Sequence, residues 1–182
     1  MPRSSCSPAS PPTPGSRVLG VDPGLQIIGY GILEAGSRGP IVCEAGIIRG
    51  SEGRSRDDMA SRILRLYNGI VDVVRQYCPQ VVAVEQLYAH YEHPRTAILM
   101  AHARGVVMLA AAQHELPLVS YNATRIKKTI TGNGRASKDQ VQRTIQRELA
   151  LAVLPEPPDV ADALAVALCH YYAFRMPSEA PP

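Results

Sequence analysis

Residues 18–34 read VLGVDPGLQIIGYGILE, and this stretch decides the fold class. It opens with a short apolar run that ends in a carboxylate, Asp22, followed by a proline and a glycine that favour a turn. A second apolar segment follows directly, so two strands joined by a short connection are predicted. A carboxylate at the end of a buried strand is costly unless a cation meets it, and we therefore expect a cationic partner for Asp22.

The composition is that of one globular domain. The chain has 182 residues, of which 46% are hydrophobic and 19% are charged, and it contains no tryptophan. No uninterrupted apolar stretch reaches the roughly 18–20 residues of a membrane helix, so no membrane partner is expected. Residues 1–16 lack the apolar core of a secretory signal and are predicted to be a disordered Pro/Ser-rich tail. We expect one folded domain over residues 17–176 and a short disordered tail over residues 177–182.

Cysteine usage indicates a reducing compartment. The four cysteines are far apart in sequence, with neither a CxxC pair nor the spacing of a zinc site: they are Cys6, Cys43, Cys78 and Cys169. Free thiols in a cytoplasmic protein are favoured over a disulfide framework.

The coarse secondary structure is a strand meander followed by alternating helices and strands. Strands are predicted over residues 17–21, 26–34, 41–49, 81–84 and 117–121. Helices are predicted over residues 57–77, 94–114, 124–131, 137–150 and 159–174, with Ser137 as the cap of the fourth. This order predicts an α/β fold in which a mixed five-stranded sheet is flanked by helices on both sides.

The predicted helix over residues 94–114 is apolar around most of its circumference. Its large apolar side chains cannot all face one core: Ile98, Leu99, Met100, Val106, Val107, Met108 and Leu109. A helix with two apolar faces is buried twice, either wholly inside the domain or with one face against a second subunit. We interpret one face as a homodimer contact, and a wholly interior helix is the alternative.

Positive charge is concentrated in one segment. Residues 122–147 contain seven basic residues and one acidic residue, Asp139, although the whole chain carries a formal charge of only +3. The basic residues are Arg125, Lys127, Lys128, Arg135, Lys138, Arg143 and Arg147. Such a stripe on a near-neutral protein suggests a polyanionic partner, although alone it could be a solvated helix face.

Four acidic residues stand at positions where a site would form. Asp22 and Glu85 each end an apolar strand, and Asp159 and Asp162 lie three residues apart on the last predicted helix. Each has a structural explanation, such as a turn, a strand end or a helix cap. Together they indicate more, because the carboxyl ends of neighbouring parallel strands meet at one edge of a sheet.

Four carboxylates at one edge would repel each other unless divalent cations lay among them. Oxygen ligands without nearby cysteine favour Mg²⁺ or Mn²⁺. Two such ions about 4 Å apart are the usual device for hydrolysing a phosphodiester. The acids therefore predict a two-metal site, and the basic stripe predicts its phosphate-bearing substrate.

The motifs, in order, resemble one known family. The segments VLGVDPGLQIIGYGILE, VVAVEQLYAHYE, AHARGVVMLAAA, RIKKTITGNGRASKDQVQ and PPDVADALAVALCHYY are similar to those of RuvC, the bacterial Holliday junction resolvase family. The resemblance covers about residues 17–174. It implies an RNase H-like fold, a homodimer and symmetric Mg²⁺-dependent nicking of four-way DNA junctions in recombination and repair, in the cytoplasm. It also implies two Mg²⁺ per subunit, with Mn²⁺ as a substitute, and work with the RuvA–RuvB branch-migration complex.

The resemblance assigns roles by position. The catalytic, metal-binding acids fall on Asp22, Glu85, Asp159 and Asp162, although some members carry histidine at the Asp159 position. The aromatic residue that wedges against bases falls on Tyr88, and DNA-facing lysines fall on Lys127 and Lys138. When the other basic residues between positions 125 and 138 are added, the expected DNA contacts are Tyr88, Arg125, Lys127, Lys128, Arg135 and Lys138.

Two departures and three alternatives accompany this interpretation. The tail at residues 1–16 has no counterpart in the family, and no function is assigned to it. The loop over residues 89–96 carries His90 and His93 where family members often have asparagine, and no role is assigned to these histidines. His170 is expected to be a packed histidine.

The alternatives are a YqgF-type RNA-processing nuclease, a sugar kinase or actin-like ATPase, and a non-catalytic junction-binding protein. A YqgF-type nuclease does not explain Tyr88 or the acid pair on the last helix. A sugar kinase or actin-like ATPase needs a longer chain. Metal-dependent cleavage would separate the third from an enzyme.

Overall fold

The computed structural model describes residues 13–51, 58–86 and 94–173. The elements in chain order are β1 (Arg17–Asp22), β2 (Ile27–Ala35), β3 (Pro40–Arg49), α1 (Met59–Tyr77), β4 (Val81–Glu85), α2 (Pro94–Gln113), β5 (Leu118–Tyr121), α3 (Ala123–Thr131), α4 (Lys138–Glu148) and α5 (Pro158–Ala173). Every predicted element is present, with boundaries that differ by one or two residues.

The five strands form one mixed sheet in the order β3-β2-β1-β4-β5. The first three strands are the predicted antiparallel meander, and β4 and β5 are parallel to β1. The central position of β1 and β4 explains their continuous apolar sequences, because a central strand between two helical layers is buried on both faces. The predicted mixed sheet is confirmed.

Helices cover both faces of the sheet, as predicted. On one face, α3, α4 and α5 pack over Val18, Leu33 and Ala83. On the other face, α1 and α2 pack over Leu19 and Val82 among others. Neighbouring residues of β1 thus enter different cores, because successive side chains of a strand point to opposite faces.

Local sequence signals define several helix ends. The Asp58 side chain accepts a hydrogen bond from the Ser61 main-chain N–H at the start of α1. Ser137 and Gln140 form a reciprocal capping box at the start of α4, so the predicted Ser137 cap is confirmed. This cap fixes where α4 begins, and its first residue is Lys138.

Helix α2 buries only one of its apolar faces in the domain. Its inner face, including Ala103, Val107 and Ala110, belongs to the core beneath α1. Four large apolar side chains remain exposed: Ile98, Leu99, Met108 and Leu109. The alternative of a wholly interior helix is therefore wrong for this chain.

The same helix is the one element, among the residues described, that is long and apolar enough to cross a membrane. Its window Thr96–Gln113 has a mean hydropathy of 1.3 and contains Arg104. Core helices of globular proteins pass the same test of length and composition, and one face of α2 is part of such a core.

The chain ahead of β1 is joined to the sheet by main-chain hydrogen bonds. Gly15 donates to the Ala35 carbonyl at 2.9 Å, and the Ala35 N–H donates to the Ser16 carbonyl at 2.8 Å. Residues 13–16, predicted as the end of the disordered tail, are therefore ordered against β2. Residues 1–12 and 174–182 lie outside the described residues, so the rest of the two tails remains a prediction.

Candidate active site

Two of the predicted acids lie side by side at the carboxyl edge of the sheet. Strands β1 and β4 are parallel neighbours whose register pairs Val21 with Val84. Asp22 and Glu85 are the next residue on each strand and end β1 and β4. The parallel pairing therefore places both carboxylates at one edge, as predicted from the two apolar runs.

Glycines in the strands allow α5 to bring the other two acids to this edge. A Cβ atom at Gly20 of β1 would lie 2.2 Å from the Ala163 carbonyl oxygen, and one at Gly29 of β2 would lie 2.1 Å from the Asp159 carbonyl oxygen. No side chain fits in that space, so these glycines let the main chain of α5 touch the sheet. The first turns of α5, with Asp159 and Asp162, consequently lie beside Asp22.

The carboxylates interact strongly with each other. The pKa of Asp22 is raised to about 7, first by burial and then by the negative charges of Asp162, Glu85 and Asp159. Burial also raises the pKa of Glu85, and the charge of Asp162 adds to that rise. Burial is the larger cause of both pKa shifts, and the neighbouring carboxylates add to it.

Two lysines provide part of the opposing charge. Lys138 Nζ lies 3.6 Å from Asp162 Oδ2, and its charge and hydrogen bond lower the pKa of Asp162 against the larger opposing effect of burial. Lys127 also lowers the pKa of Asp162 and of Glu85. Lys138 is 83% exposed on the side chain, so it can leave Asp162 to contact a ligand.

These groups line one cavity of about 290 Å³. Its wall includes Asp22, Glu85 and Asp162 on the acidic side and Lys127 and Lys138 on the basic side. The cavity thus joins a cluster of carboxylates to two cations that could hold a phosphate. Asp159 is not part of that wall, and it acts on Asp22 and Asp162 as a neighbouring charge.

The donor chemistry of the site fits a hard divalent cation. The cavity wall offers carboxylate oxygens and no thiol, and the raised pKa of Asp22 indicates a carboxylate that lacks sufficient positive charge. Within residues 13–51, 58–86 and 94–173, no three acidic, histidine or cysteine side chains already form a ligand set for one ion. The acids are nonetheless close enough for their charges to raise each other's pKa.

The remaining predicted DNA contacts differ in position. Arg125, Lys128 and Arg135 are exposed on α3 and on the loop that leads to α4. Arg125 also lies over the Tyr121 ring, with its guanidinium carbon 5.1 Å from the ring centroid. Tyr88 lies outside the described residues, as do His90 and His93.

His170 is packed, as expected. It is 3% exposed, and its Nδ1 lies 2.8 Å from the Tyr121 hydroxyl in a hydrogen bond. Burial lowers the His170 pKa to about 4, so the ring is neutral at physiological pH. Its interactions are those of a structural histidine.

The sequence does not predict the residues that support the site without lining its cavity. Gly20 and Gly29 were not singled out, although glycines inside apolar strands are a known signal of close backbone approach. Arg104 of α2 was also missed: it donates hydrogen bonds to the Glu85 carbonyl oxygen and to Ser120 Oγ. No pattern in the sequence connects α2 to the end of β4, so this contact needed the fold.

Comparison with known proteins agrees with this geometry. The family model described as crossover junction endodeoxyribonuclease RuvC matches residues 18–170. The RuvC crossover junction endodeoxyribonuclease of Rhodopirellula baltica is 44% identical over 168 residues, which is 91% of this chain and 92% of that protein. The corresponding protein of Gloeobacter violaceus is 41% identical over 165 residues, covering 90% and 92% of the two chains.

A solved structure shows the same architecture. Thermus thermophilus RuvC in complex with a Holliday junction substrate superposes with a TM-score of 0.79 at 28% identity, covering 88% of this chain and 96% of that one. The mixed sheet with its flanking helices is accordingly the RNase H-like fold of that enzyme, as the resemblance implied. The chain therefore belongs to the RuvC family of crossover junction endodeoxyribonucleases.

Proposed function

We propose that this chain is a structure-selective endodeoxyribonuclease that resolves four-way (Holliday) DNA junctions in recombination and DNA repair. The observation that carries the proposal is the single cavity in which Asp22, Glu85 and Asp162 face Lys127 and Lys138. Carboxylates that lack positive charge suit metal ions, and the lysines suit the phosphate of a nucleic acid backbone. Family membership and the junction-bound relative support DNA junctions as the substrate.

In this proposal Asp22, Glu85, Asp159 and Asp162 hold two Mg²⁺ ions per subunit, for which Mn²⁺ can substitute. When bound, such ions lower the pKa of water and stabilise the leaving oxygen of a phosphodiester. The chain itself supplies the orientation of the carboxylates, which follows from the parallel strand ends and from the contact of α5 with the sheet. A ligatable 5′-phosphate and 3′-hydroxyl are the expected products.

The basic residues would bind the junction arms. Lys127 and Lys138 lie in the cavity wall and would hold the phosphates next to the cleaved bond. Arg125, Lys128 and Arg135 would add contacts to the backbone outside the cavity, which strengthen binding without reading sequence. Tyr88 would stack on bases at the junction centre, a contact worth about 1–3 kcal/mol per base.

A homodimer fits this function, because two active sites related by a two-fold axis would cut two opposite strands of a junction. The exposed apolar side chains of α2 are our candidate contact, with Ile98 at 57%, Met108 at 50% and Leu109 at 53% exposure. Sedimentation at working concentration should give a dimer, and a monomer would remove this part of the proposal. Action with the RuvA–RuvB complex in the cytoplasm is the further expectation from the family.

Cleavage of a synthetic mobile four-way junction tests the function. We expect paired, ligatable nicks that require Mg²⁺ and are absent for Asp22→Asn and for a linear duplex substrate. Glu34→Gln is a suitable control, since Glu34 lies in the sheet but is paired with Arg17 far from the cavity. Tight junction binding without cutting under any divalent metal would instead indicate a non-catalytic junction-binding protein.

A further inference from the structure

The guanidinium of Arg104 connects three elements behind the cavity. From α2 it donates one hydrogen bond, through Nη1, to the main-chain carbonyl oxygen of Glu85 at the end of β4. Through Nη2 it donates a second to Ser120 Oγ of β5 at 2.7 Å. The ends of two parallel strands are therefore held by one side chain from a helix on the sheet's other face.

The residue that Arg104 contacts is the point at which β4 leaves the sheet. The β1–β4 ladder ends at the pair Val21 and Val84, so Glu85 is beyond the last paired position on that side. On the other side, the Gln86 N–H still donates to the Tyr121 carbonyl at 2.8 Å. The Glu85 carbonyl receives its donor from Arg104, which fixes the peptide from which the Glu85 carboxylate projects.

Arg104 uses its charge on neutral acceptors. No ion pair links it to a carboxylate within residues 13–51, 58–86 and 94–173, and both of its hydrogen bonds go to uncharged oxygens. Arg104 is partly buried, and this partial burial lowers the pKa of its guanidinium, so placing the cation here has a cost. An apolar side chain would serve a simple packing role equally well. The two N–H donors of Arg104 therefore indicate a role beyond packing.

We propose that Arg104 is a positioning residue for junction cleavage: by holding the Glu85 carbonyl and Ser120, it sets the place of the Glu85 carboxylate in the cavity. The proposal rests on the function proposed above, in which Glu85 binds metal. It also joins α2, whose exposed apolar face is the candidate subunit contact, directly to the metal-binding edge of the sheet. Residues behind metal ligands typically change metal affinity or activity about 10- to 100-fold when removed.

The test compares Arg104→Met, Arg104→Lys and Ser120→Ala with Arg75→Met, a control arginine exposed at the end of α1. Methionine keeps the length and apolar stem of the side chain but removes its donors. For Arg104→Met we expect single-turnover cleavage about 30-fold slower at saturating Mg²⁺ and a half-saturating Mg²⁺ concentration about 10-fold higher. Junction affinity should change less than twofold. Arg104→Lys should recover part of the loss, Ser120→Ala should lose about threefold, and the control should match the parent.

A second readout does not depend on cleavage. Hydrogen exchange of the Gln86 amide, which bonds to Tyr121 beside the Arg104 contact, should accelerate about 10-fold in Arg104→Met. The amides of Val82 and Val84, deep in β4, should keep the parent rate. If the parent itself does not cut junctions, the proposed function fails while this exchange still reports whether Arg104 holds the strand end.

The proposal is overturned if a folded Arg104→Met keeps the parent's Mg²⁺ dependence, cleavage rate and Gln86 exchange within twofold. It is equally overturned if stability falls but Mg²⁺ half-saturation does not move, because that is the result of a packing role alone. Should Arg104→Met fail to fold, Arg104→Lys and Ser120→Ala decide by the same two readouts.

Discussion

A carboxylate lies near each end of strand β1, but the charges around the two carboxylates differ. At the amino end, Arg17 Nε lies 2.9 Å from Glu34 Oε2, and Arg17 also donates to the Tyr77 carbonyl. At the carboxyl end, Asp22 lies among three further carboxylates, with Lys138 as the cation that lowers its pKa. One end is neutralised by its own residues and the other is not.

The difference separates a structural charge pair from a functional site. A half-exposed acid with an adjacent arginine needs nothing more, and it contributes little to stability. Buried carboxylates that raise each other's pKa destabilise the fold unless a ligand supplies positive charge. The carboxyl end of β1 therefore has an energetic cost that the amino end avoids, and the proposed metal ions would offset it.

The largest expected effect is on catalysis at the carboxyl end. Asp22→Asn should lower junction cleavage about 10³-fold or more, because it removes the carboxylate at the centre of the cluster. Single-turnover cleavage with Mg²⁺ measures this. Glu34→Gln, at the other end of the same pair of strands, should leave the rate unchanged. Equal losses in both variants would mean that the two ends of β1 do not differ in function.

Next in size is the effect of separating α5 from the sheet. Gly29→Ala would put a Cβ 2.1 Å from the Asp159 carbonyl oxygen, so the start of α5 must move. We expect a loss of about 2–3 kcal/mol in the free energy of unfolding and a marked loss of cleavage. Gly46→Ala is the control, since the atom nearest to its Cβ would be the Tyr30 hydroxyl oxygen, at 3.0 Å, at the end of a side chain rather than in the main chain. Urea unfolding measures the stability of the two variants, and junction cleavage measures their activity. A Gly29→Ala protein as stable and active as the control would show that the close approach of α5 to the sheet is not required.

A smaller effect concerns stability and pH without metal. The pKa of Asp22 is about 7 in the folded chain and 3.8 as its ordinary value. The folded state therefore binds more protons between these values, and its free energy of unfolding falls as pH rises from about 4 to 7. In EDTA at pH 8, Asp22→Asn should be more stable than the parent by about 2 kcal/mol, which is less than the full pKa shift would give because Asp22 is only partly buried and water screens its charge. Little difference is expected at pH 4. Parallel pH profiles of the two proteins, measured by urea unfolding, would contradict the crowded-carboxylate description.

The smallest effect is expected at the amino end. Breaking the Arg17–Glu34 pair with Glu34→Gln should shift Tm by about 1–2 °C, because ion pairs that water reaches contribute little. Salt should reduce even this difference, since it screens the pair. Calorimetry at low and high salt measures the shift. A large, salt-insensitive drop would mean that the amino end also carries an essential charge.

Much of the fold was predictable because its signals are local. Apolar runs marked the central strands, and Ser137 marked the start of α4 three residues before its partner Gln140. The acids were predictable as a set for the same reason: Asp22 and Glu85 end apolar strands, and parallel strand ends meet. The structure confirms that these two lie beside each other and that Asp162 shares their cavity.

What the sequence did not reveal depends on contacts between distant segments. The pattern did not predict that Gly29 would meet Asp159, 130 positions away, or that Arg104 would bond to the Glu85 carbonyl. The sequence also did not predict which of the four acids line the cavity. Asp159 and Asp162 share one helix face by spacing, yet of these two only Asp162 is in the cavity wall.

The most direct test of the account is the response of thermal stability to Mg²⁺ at pH 8 in the parent and in Asp22→Asn. If the carboxylate cluster is the place where divalent ions supply the missing charge, the parent's Tm rises with Mg²⁺ concentration by mass action. Asp22→Asn then starts from a higher Tm in EDTA and responds little to the ion. Equal rises in both proteins, or no rise in either, would contradict the assignment of this cluster as the metal site.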